Sequence, residues 1–376
     1  MKLHRRLATT AAAVLTLAVL AACAPPEDDD EPSGSGDSVD AKAATSADDF
    51  GGMDALVEAA QEEGELNVIA LPPDWANYGE IISTFEEKYD ITVNSDQPDA
   101  ASQDEINAAN QLKGSDRAPD VFDLGQSVAL ANTDMFAPYQ VEGFGDIPDE
   151  FKDPDGTWVN DYGGYMSIGY DSSKVPDVTS LEDLLGPEFE GKVALNGDPT
   201  LAGAAFSGVV MAAVANGGSA DDVEPGVQFF EDLKDAGNFL PVDPTPATIE
   251  SGQTPVVIDW DYLNAAEGAK LETWEVLVPE EAVIAGYYFQ AINKDAPHPA
   301  AARLWQEFLY SDEGQNLWLA GGARPVRADA MSEAGTIDQE MYDALPEVAG
   351  DVVIPTNEQT EKAAEYLAEN WSRVTG

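Results

Sequence analysis

The sequence predicts an α/β protein in which short buried strands alternate with amphipathic helices to build mostly parallel sheets. Three observations carry that reading. Apolar runs at 66–71, 91–93, 119–124 and 256–258 alternate with segments whose apolar residues recur at helical spacing. Two runs rich in glycine and aromatic residues, 162–170 and 285–293, have no helical period and read as passages between two folded lobes. The chain has 376 residues and is 44% hydrophobic, enough for two lobes with their own cores.

Residues 1–22 start with Lys2, His4, Arg5 and Arg6, continue with an apolar run at 11–20 and end in Ala21 and Ala22. This pattern is an export signal, and its apolar core is too short for a permanent membrane span. Leu20-Ala21-Ala22-Cys23 resembles the lipobox of bacterial lipoproteins, in which cleavage precedes a lipid-modified cysteine, so Cys23 is the expected lipid attachment point. An ordinary signal peptide followed by a chance cysteine is the alternative. Residues 23–49 hold an acidic run, Glu27-Asp28-Asp29-Asp30-Glu31, and Ser33-Gly34-Ser35-Gly36. That composition reads as a flexible tether, with the fold beginning near Phe50.

The elements then follow in order. Met53, Leu56, Val57 and Ala60 share a helical face that Gly64 ends, and a strand follows at once. Pro72-Pro73-Asp74-Trp75-Ala76-Asn77-Tyr78 is a rigid turn into a helix carrying Ile81, Ile82 and Phe85. Ser102-Gln103-Asp104-Glu105 has capping-box spacing ahead of a helix that Gly114 stops. The strand at 119–124 ends in Gly125-Gln126-Ser127. Right-handed crossovers leave strand-to-helix loops at one sheet edge, so that loop and Asp74-Trp75 are expected to be neighbours.

Beyond the first passage, 192–195 reads as a strand, Asn196-Gly197-Asp198-Pro199-Thr200 as a turn and 202–215 as a small-residue helix. A helix at 223–233 has Pro225 in its first turn. After the return passage a helix at 300–310 buries Leu304, Trp305, Phe308 and Leu309, and Ser311 starts another. Thr356-Asn357-Glu358-Gln359 is a second capping box before a terminal amphipathic helix. No internal repeat and no transmembrane span is legible.

Composition excludes several functions. With 71 acidic against 18 basic residues the chain will not hold nucleic acid through its phosphates, and so acidic a surface is consistent with a salt-exposed setting. The single cysteine and two histidines leave no disulfide framework, no Cys/His zinc site and no cysteine nucleophile in the folded part. A Ser/His/Asp triad would have to use His298, which sits between Pro297 and Pro299, poor ground for a catalytic base.

The stretch Pro255-Val256-Val257-Ile258-Asp259-Trp260-Asp261-Tyr262 carries the most chemistry: a buried strand that ends in two carboxylates and two rings. Ligands collect at the carboxyl ends of strands in open α/β sheets. If the strand continues, Asp259 and Asp261 share one face. If a helix begins near Asp261, that aspartate caps it and Trp260 faces a cleft.

Ala291-Ile292-Asn293-Lys294-Asp295-Ala296-Pro297-His298-Pro299-Ala300, followed by Leu309-Tyr310-Ser311-Asp312-Glu313-Gly314-Gln315 and Ala323-Arg324-Pro325, resembles signatures of the solute-binding proteins of bacterial ABC importers. The branch is that of the polyamine, ferric-iron and aminophosphonate receptors, and Pro119-Asp120-Val121 and Glu190-Gly191-Lys192-Val193-Ala194 are similar to two further signatures. The resemblance implies two α/β lobes joined by crossing hinge segments that close on a solute. The expected division is lobe 1 at 50–160 and 285–327, and lobe 2 at 161–284 and 328–376. It also implies a non-enzymatic monomer without cofactor or metal, lipid-anchored at the outer face of the cell membrane and delivering its solute to permease subunits. Carried over by position, the ligand contacts are Asp74, Trp75, Gln126, Ser127, Tyr165, Asp198, Thr200, Asp259, Trp260, Asp261, Tyr262 and Tyr287, with Tyr288 as the alternative to Tyr287.

Carboxylates at Asp74, Asp259 and Asp261 beside Trp75, Trp260 and Tyr262 fit an organic cation such as a polyamine, since rings offer a negative face and a carboxylate pairs an ammonium. Ferric iron is the rival through Tyr287-Tyr288, although adjacent strand residues point to opposite faces. A phosphonate could use amide groups near Thr200, with Ser127 or Arg324 assisting. A secreted hydrolase working through Asp259 and Asp261 is the reading from another class.

Overall fold

A computed structural model describes residues 39–345 and 349–375. The export signal, Cys23 and the first part of the expected tether lie outside the described residues. The fold starts earlier than composition indicates. Ala44, Ala47 and Phe50 are buried, and the buried Arg303 guanidinium donates to the Ala44 and Lys42 carbonyls at 2.8 and 3.0 Å. Residues 39–49 look tether-like because, apart from the exposed Val39, their apolar positions are alanines, yet the arginine fixes their backbone.

The strands are β1 (Glu65–Ile69), β2 (Thr92–Asp96), β3 (Val121–Leu124), β4 (Phe136–Ala137) and β5 (Val159–Asp171). They continue with β6 (Val193–Leu195), β7 (Val256–Trp260), β8 (Trp274–Leu277), β9 (Ala285–Asn293) and β10 (Arg324–Pro325). The helices that matter first are α1 (Met53–Glu63), α2 (Tyr78–Tyr89), α3 (Ser102–Gln111), α4 (Gln126–Ala131) and α5 (Gly203–Ala215). After them come α6 (Glu224–Asp235), α7 (Pro246–Glu250), α8 (Asp261–Gly268), α9 (Pro299–Leu309) and α10 (Asp312–Ala320).

The alternation of strands and helices is as the sequence indicates, but the parallel bias is not. β1 pairs β2 and β6 pairs β7 in parallel, whereas β3, β4 and β5 pair β9, and β7, β8 and β10 pair β5, all antiparallel. The reason is the two long passages. β5 and β9 lie beside each other, run in opposite directions and take central places, so every strand joined directly to either one meets it antiparallel.

β5 belongs to two neighbourhoods. Its first half, up to Tyr165, pairs β9, and its second half, from Met166, pairs β7 and then β8. The register slips between Asn160 and Gly163, a bulge that places Asp161 and Tyr162 out of the regular ladder.

Packing follows sequence pattern closely. α5 is apolar all round and accordingly buried, from Gly203 to Ala213 on almost every face. In α9, Trp305 and Phe308 meet Phe85 of α2 at ring separations of 5.0 and 5.6 Å. Each such fully buried side chain contributes about 1.5–3 kcal/mol of transfer free energy. Gly64 ends α1 with φ at 74°, a conformation a side chain would oppose, which explains why glycine stands there.

His298 has a structural task. Its backbone N–H and ring Nδ1 meet the two carboxylate oxygens of buried Asp120 at 2.7 and 2.9 Å, and Asp120 also accepts from the Asn67 N–H at 2.7 Å. The Pro-His-Pro signature thus ties the start of α9 to β1 and to the residue ahead of β3.

Candidate functional site

A cavity of about 530 Å³ lies at the carboxyl ends of β1, β2, β3, β6 and β7. Its walls are the β1–α2 turn with Asp74 and Trp75, the segment 98–105, Asp123 at the end of β3, the β6–α5 turn from Asn196 to Ala204, residues 243–246, Asp259, one face of α8 and Tyr288 of β9. Among the described residues nine carboxylates line it, and no lysine, arginine or histidine does. Lys270, paired to Glu267 at 3.0 Å, stands outside the wall.

The carboxylates differ in burial. Asp74, Asp99, Asp104 and Asp243 are exposed and ring the cavity, Asp198 is half-buried, and Glu105, Asp123, Asp259 and Glu267 are buried. Asp123 is held by tyrosines: the hydroxyls of Tyr78 and Tyr162 donate to its Oδ2 at 2.7 and 3.0 Å. Its Oδ1 is buried and accepts from no group. Glu105 takes the Asp123 N–H on Oε2 at 3.0 Å and leaves Oε1 without a donor, and Glu267 leaves Oε2 in the same condition. Asp259 accepts from the Trp260 N–H and Asn196 Nδ2, both at 2.8 Å and both neutral.

Burial with only neutral donors raises Asp123, Glu105 and Asp259. The carboxyls of Asp123 and Asp259 are each pushed up to about 7 by desolvation, against the hydrogen bonds that pull them down. Glu105 is raised well above its ordinary range by desolvation and then by the Asp123 charge.

Two rings complete the inner wall. Trp75 meets Tyr288 edge-on at 5.7 Å, and its Nε1 donates to the Tyr162 hydroxyl at 2.8 Å. The Trp75 turn is held in unusual backbone: Ala70, Ala76 and Asn77 have φ of 59°, 44° and 69°. Such residues cost about 1–3 kcal/mol each and persist only where their surroundings fix them. Here Asn77 Nδ2 donates to the Leu317 carbonyl at 3.0 Å, which anchors the turn to α10.

Of the residues named from sequence, Asp74, Trp75, Asp198, Asp259 and Tyr288, the alternative to Tyr287, lie on the cavity wall. The others lie elsewhere. α8 begins at Asp261, so the strand alternation that would put Asp259 and Asp261 on one face stops between them. Asp261 is buried against the Tyr165 N–H at 2.8 Å and Arg324 Nη1 at 3.1 Å. Arg324 also stacks over the Tyr165 ring at 4.3 Å. Trp260 and Tyr262 are core residues stacked at 6.4 Å. Gln126 Nε2 reaches the Pro355 carbonyl and Asn357 Oδ1 at 3.2 and 3.0 Å, and Ser127 beside it is half-buried off the wall. Thr200 is exposed and donates its hydroxyl to Asp198 at 2.6 Å. Tyr287 packs on Phe151 at 4.6 Å, while its neighbour Tyr288, on the opposite face of β9, lines the cavity.

Sequence reasoning missed Ser102, Glu105 and Asp123. The first two were assigned to a capping box, but α3 has Ala101 at its cap, and Asp104 takes the Ala101 N–H at 3.1 Å. Ser102 Oγ instead accepts from the Gly125 N–H at 3.0 Å, and Glu105 from Asp123. Both side chains cross to the end of β3.

Opposite walls touch. The Gln103 N–H donates to the Leu201 carbonyl at 3.3 Å, and a Cβ on Gly125 would stand 2.6 Å from the Gly203 Cα. Gly125→Ala should therefore hold the walls apart. We expect an increased radius of gyration by X-ray scattering and about tenfold weaker solute binding, as the competent closed state is depopulated. Identical scattering and affinity would show that the two glycines do not limit closure.

The comparisons with known proteins agree with this geometry. No curated protein sequence matches the chain. Among solved structures it is similar to AgtB of A. tumefaciens R10 in complex with agropinic acid, with TM-score 0.67 and 14% identity over 83% of this chain and 99% of that one. It is similar to a Listeria monocytogenes protein assigned to spermidine/putrescine ABC transport, with TM-score 0.63 and 15% identity over 83% and 99%. Iron-bound HitA of Pseudomonas aeruginosa gives 0.60 and 18% over 82% and 99%. At these identities the likeness establishes the two-lobe periplasmic-binding-protein fold. The family model described as bacterial extracellular solute-binding protein matches residues 119–345. The chain therefore belongs to the bacterial extracellular solute-binding proteins, exported receptors of the ABC-importer type that bind small solutes without transforming them.

Proposed function

We propose that the solute is an organic cation, an amine with an apolar carbon frame such as a polyamine. One observation carries the reading: among the described residues, buried carboxylate oxygens on Asp123, Glu105 and Glu267 have no protein donor, and the wall holds no basic side chain. Buried acceptors of this kind are costly unless something supplies hydrogen-bond donors and positive charge. An ammonium group does both. Trp75 and Tyr288, with Leu263 and Ile249, add ring faces and apolar surface for the methylene portion. The Listeria likeness is in keeping with this chemistry.

The same wall argues against the rivals. A phosphonate would meet nine carboxylates and no cation, a repulsive pairing. Ferric iron served by adjacent tyrosines is disfavoured because Tyr287 and Tyr288 face opposite ways, and the Tyr288 hydroxyl is pushed up by burial and then by nearby carboxylates, against phenolate formation. Delivery to a permease from a lipid anchor at Cys23, with lobes divided near residues 160 and 285, completes the proposal.

The experiment is a thermal-shift screen at pH 8 of diamines and polyamines, amino acids, phosphonates, sugars and ferric citrate, followed by calorimetry. Amines should raise the melting temperature, with micromolar or tighter affinity. A shift by a phosphonate or ferric citrate and none by any amine would overturn the cation reading.

A further inference from the structure

Trp75 and Gln290 each place an N–H behind a tyrosine that holds Asp123. The indole Nε1 of Trp75 donates to the Tyr162 hydroxyl at 2.8 Å, and Tyr162 donates to Asp123 Oδ2 at 3.0 Å. Gln290 Nε2 donates to the Tyr78 hydroxyl at 3.0 Å, and Tyr78 donates to the same carboxylate oxygen at 2.7 Å. An indole N–H can only give a hydrogen bond, and a phenol has one hydrogen to give. Tyr162 therefore accepts on one side and donates on the other. The Gln290 amide is turned the same way, because its Oε1 accepts from Gln306 Nε2 at 3.4 Å.

The rings leave these hydroxyls little freedom. Tyr162 stacks on Trp318 at 4.1 Å and on Tyr288 at 5.3 Å, and Trp318 also meets Tyr78 edge-on at 4.8 Å. Trp75 sits in the strained turn between β1 and α2 that the Asn77 bond anchors to α10. Tyr162 stands in the β5 bulge, the kind of irregularity that redirects a side chain. Strain in the turn and slip in the strand thus serve one geometry.

Both hydroxyl hydrogens end on Oδ2. That leaves Oδ1, which is buried and accepts from no group among the described residues, as the Asp123 oxygen a solute can use. Hydrogen bonds in series polarise and strengthen one another. Without the N–H behind it, a phenol is free to turn its hydrogen away from the carboxylate, which then loses a donor that favours its charged form.

We propose that Trp75 and Gln290 are positioning residues for solute binding: through Tyr162 and Tyr78 they fix both hydroxyl donors on one oxygen of Asp123 and hold the other oxygen ready for an ammonium group. The inference rests on the cation reading of the cavity. It gives Trp75 a task apart from its ring face, and it brings in Gln290, which does not line the cavity. The relay makes Asp123 a directed acceptor, suited to a solute that brings hydrogen and positive charge to one point.

The test has two arms. In the first, calorimetry at pH 8 with putrescine or spermidine follows two double-substitution cycles. Trp75→Phe keeps a ring at the wall and removes the N–H, and Gln290→Met keeps the length of the side chain and removes the amide. Each should weaken binding about tenfold, the scale of one hydrogen bond serving a charged group. In a Tyr162→Phe background Trp75→Phe should cost less than about twofold further, and Gln290→Met likewise in a Tyr78→Phe background. Losses that multiply instead would show that the two residues act by packing or by touching the solute, and would overturn the relay.

The second arm needs no amine. The chain has seven tryptophans, and the indole resonance that Trp75→Phe removes from a nitrogen–proton correlation spectrum belongs to Trp75. Tyr162→Phe and Asp123→Asn should both move it upfield, since the first removes its acceptor and the second makes that acceptor poorer. Asp259→Asn, which removes a wall carboxylate outside the relay, should leave it in place. A resonance unmoved by Asp123→Asn, or moved equally by Asp259→Asn, would sink the relay even where amines bind. A relay intact by this signature in a protein that binds no amine would instead reject the cation reading and with it the role in binding.

Discussion

Replacing Asp123 by asparagine should weaken amine binding by about 2–5 kcal/mol, roughly 30-fold to several thousandfold, the usual consequence of removing one member of a buried charged pair. The variant keeps an oxygen for the Tyr78 and Tyr162 hydroxyls, so the wall should hold its shape. What it loses is the unpartnered Oδ1, replaced by an amide that presents hydrogens to a cation. Stability should move the other way. The folded-state value of Asp123, about 7, lies above its ordinary value near 3.8, so the folded protein binds the proton more tightly than the unfolded chain. Unliganded wild type should gain stability as pH falls from above 7 toward 4, and above pH 7 it carries the cost of a buried charge. Asp123→Asn removes that cost, so the unliganded variant should melt higher than wild type at pH 8 while binding worse. Calorimetry and a melting curve on one preparation check both signs. A loss of affinity under threefold would take Asp123 out of the site.

Arg324→Ala should have the largest effect on stability. Its Nη1 meets Asp261 at 3.1 Å, with side-chain exposures of 16% and 1% respectively. Breaking a buried ion pair from one side costs about 3–5 kcal/mol, because the remaining charge is left without compensation. Asp261 is raised by burial and lowered chiefly by Arg324, so without the arginine it should take up a proton at higher pH. For a protein of this size the loss corresponds to roughly 4–6 °C in melting temperature. The double variant Asp261→Asn with Arg324→Ala should recover part of it. Asp261 also opens α8, which carries Leu263, Asn264 and Glu267 on the cavity wall, so amine affinity should fall modestly. A change under 1 kcal/mol in denaturant unfolding would refute the importance of the pair.

Much of the architecture was legible because strands and helices announce themselves by period. Leu66, Val68, Val121, Val257 and Ile258 are all buried, and the helix faces named from spacing are the faces that pack. The capping box at Thr356 is formed, with reciprocal bonds to Gln359 of 3.3 and 3.0 Å. Strand direction was not legible, since period alone does not say which neighbour a strand takes, and β5 and β9 take neighbours from distant parts of the chain.

The site was legible only where polar residues interrupt a loop or a strand end. Asp74, Trp75, Asp198 and Asp259 are of that kind. Asp123 was hidden inside Val-Phe-Asp-Leu, where an acid in an apolar strand could as easily belong to a structural bond. Glu105 carries a capping-box spacing that the helix does not use, and a one-residue shift at the helix start turned its side chain to the cavity. Tyr287 and Tyr288 could be separated only by register. Of the two readings of Asp261, the helix start is the one the structure takes, and it turns the carboxylate from a solute wall to an internal ion pair with Arg324.

One backbone segment feeds both halves of the molecule. Because β5 is hydrogen-bonded to β9 along its first part and to β7 and β8 along its second, cutting the chain near Met166 would deprive each fragment of a central strand. Neither piece would then be a self-sufficient folding unit, and heating should produce one shared collapse of order instead of two separate ones. The receptor is in this sense bipartite in shape but unitary in how it holds together.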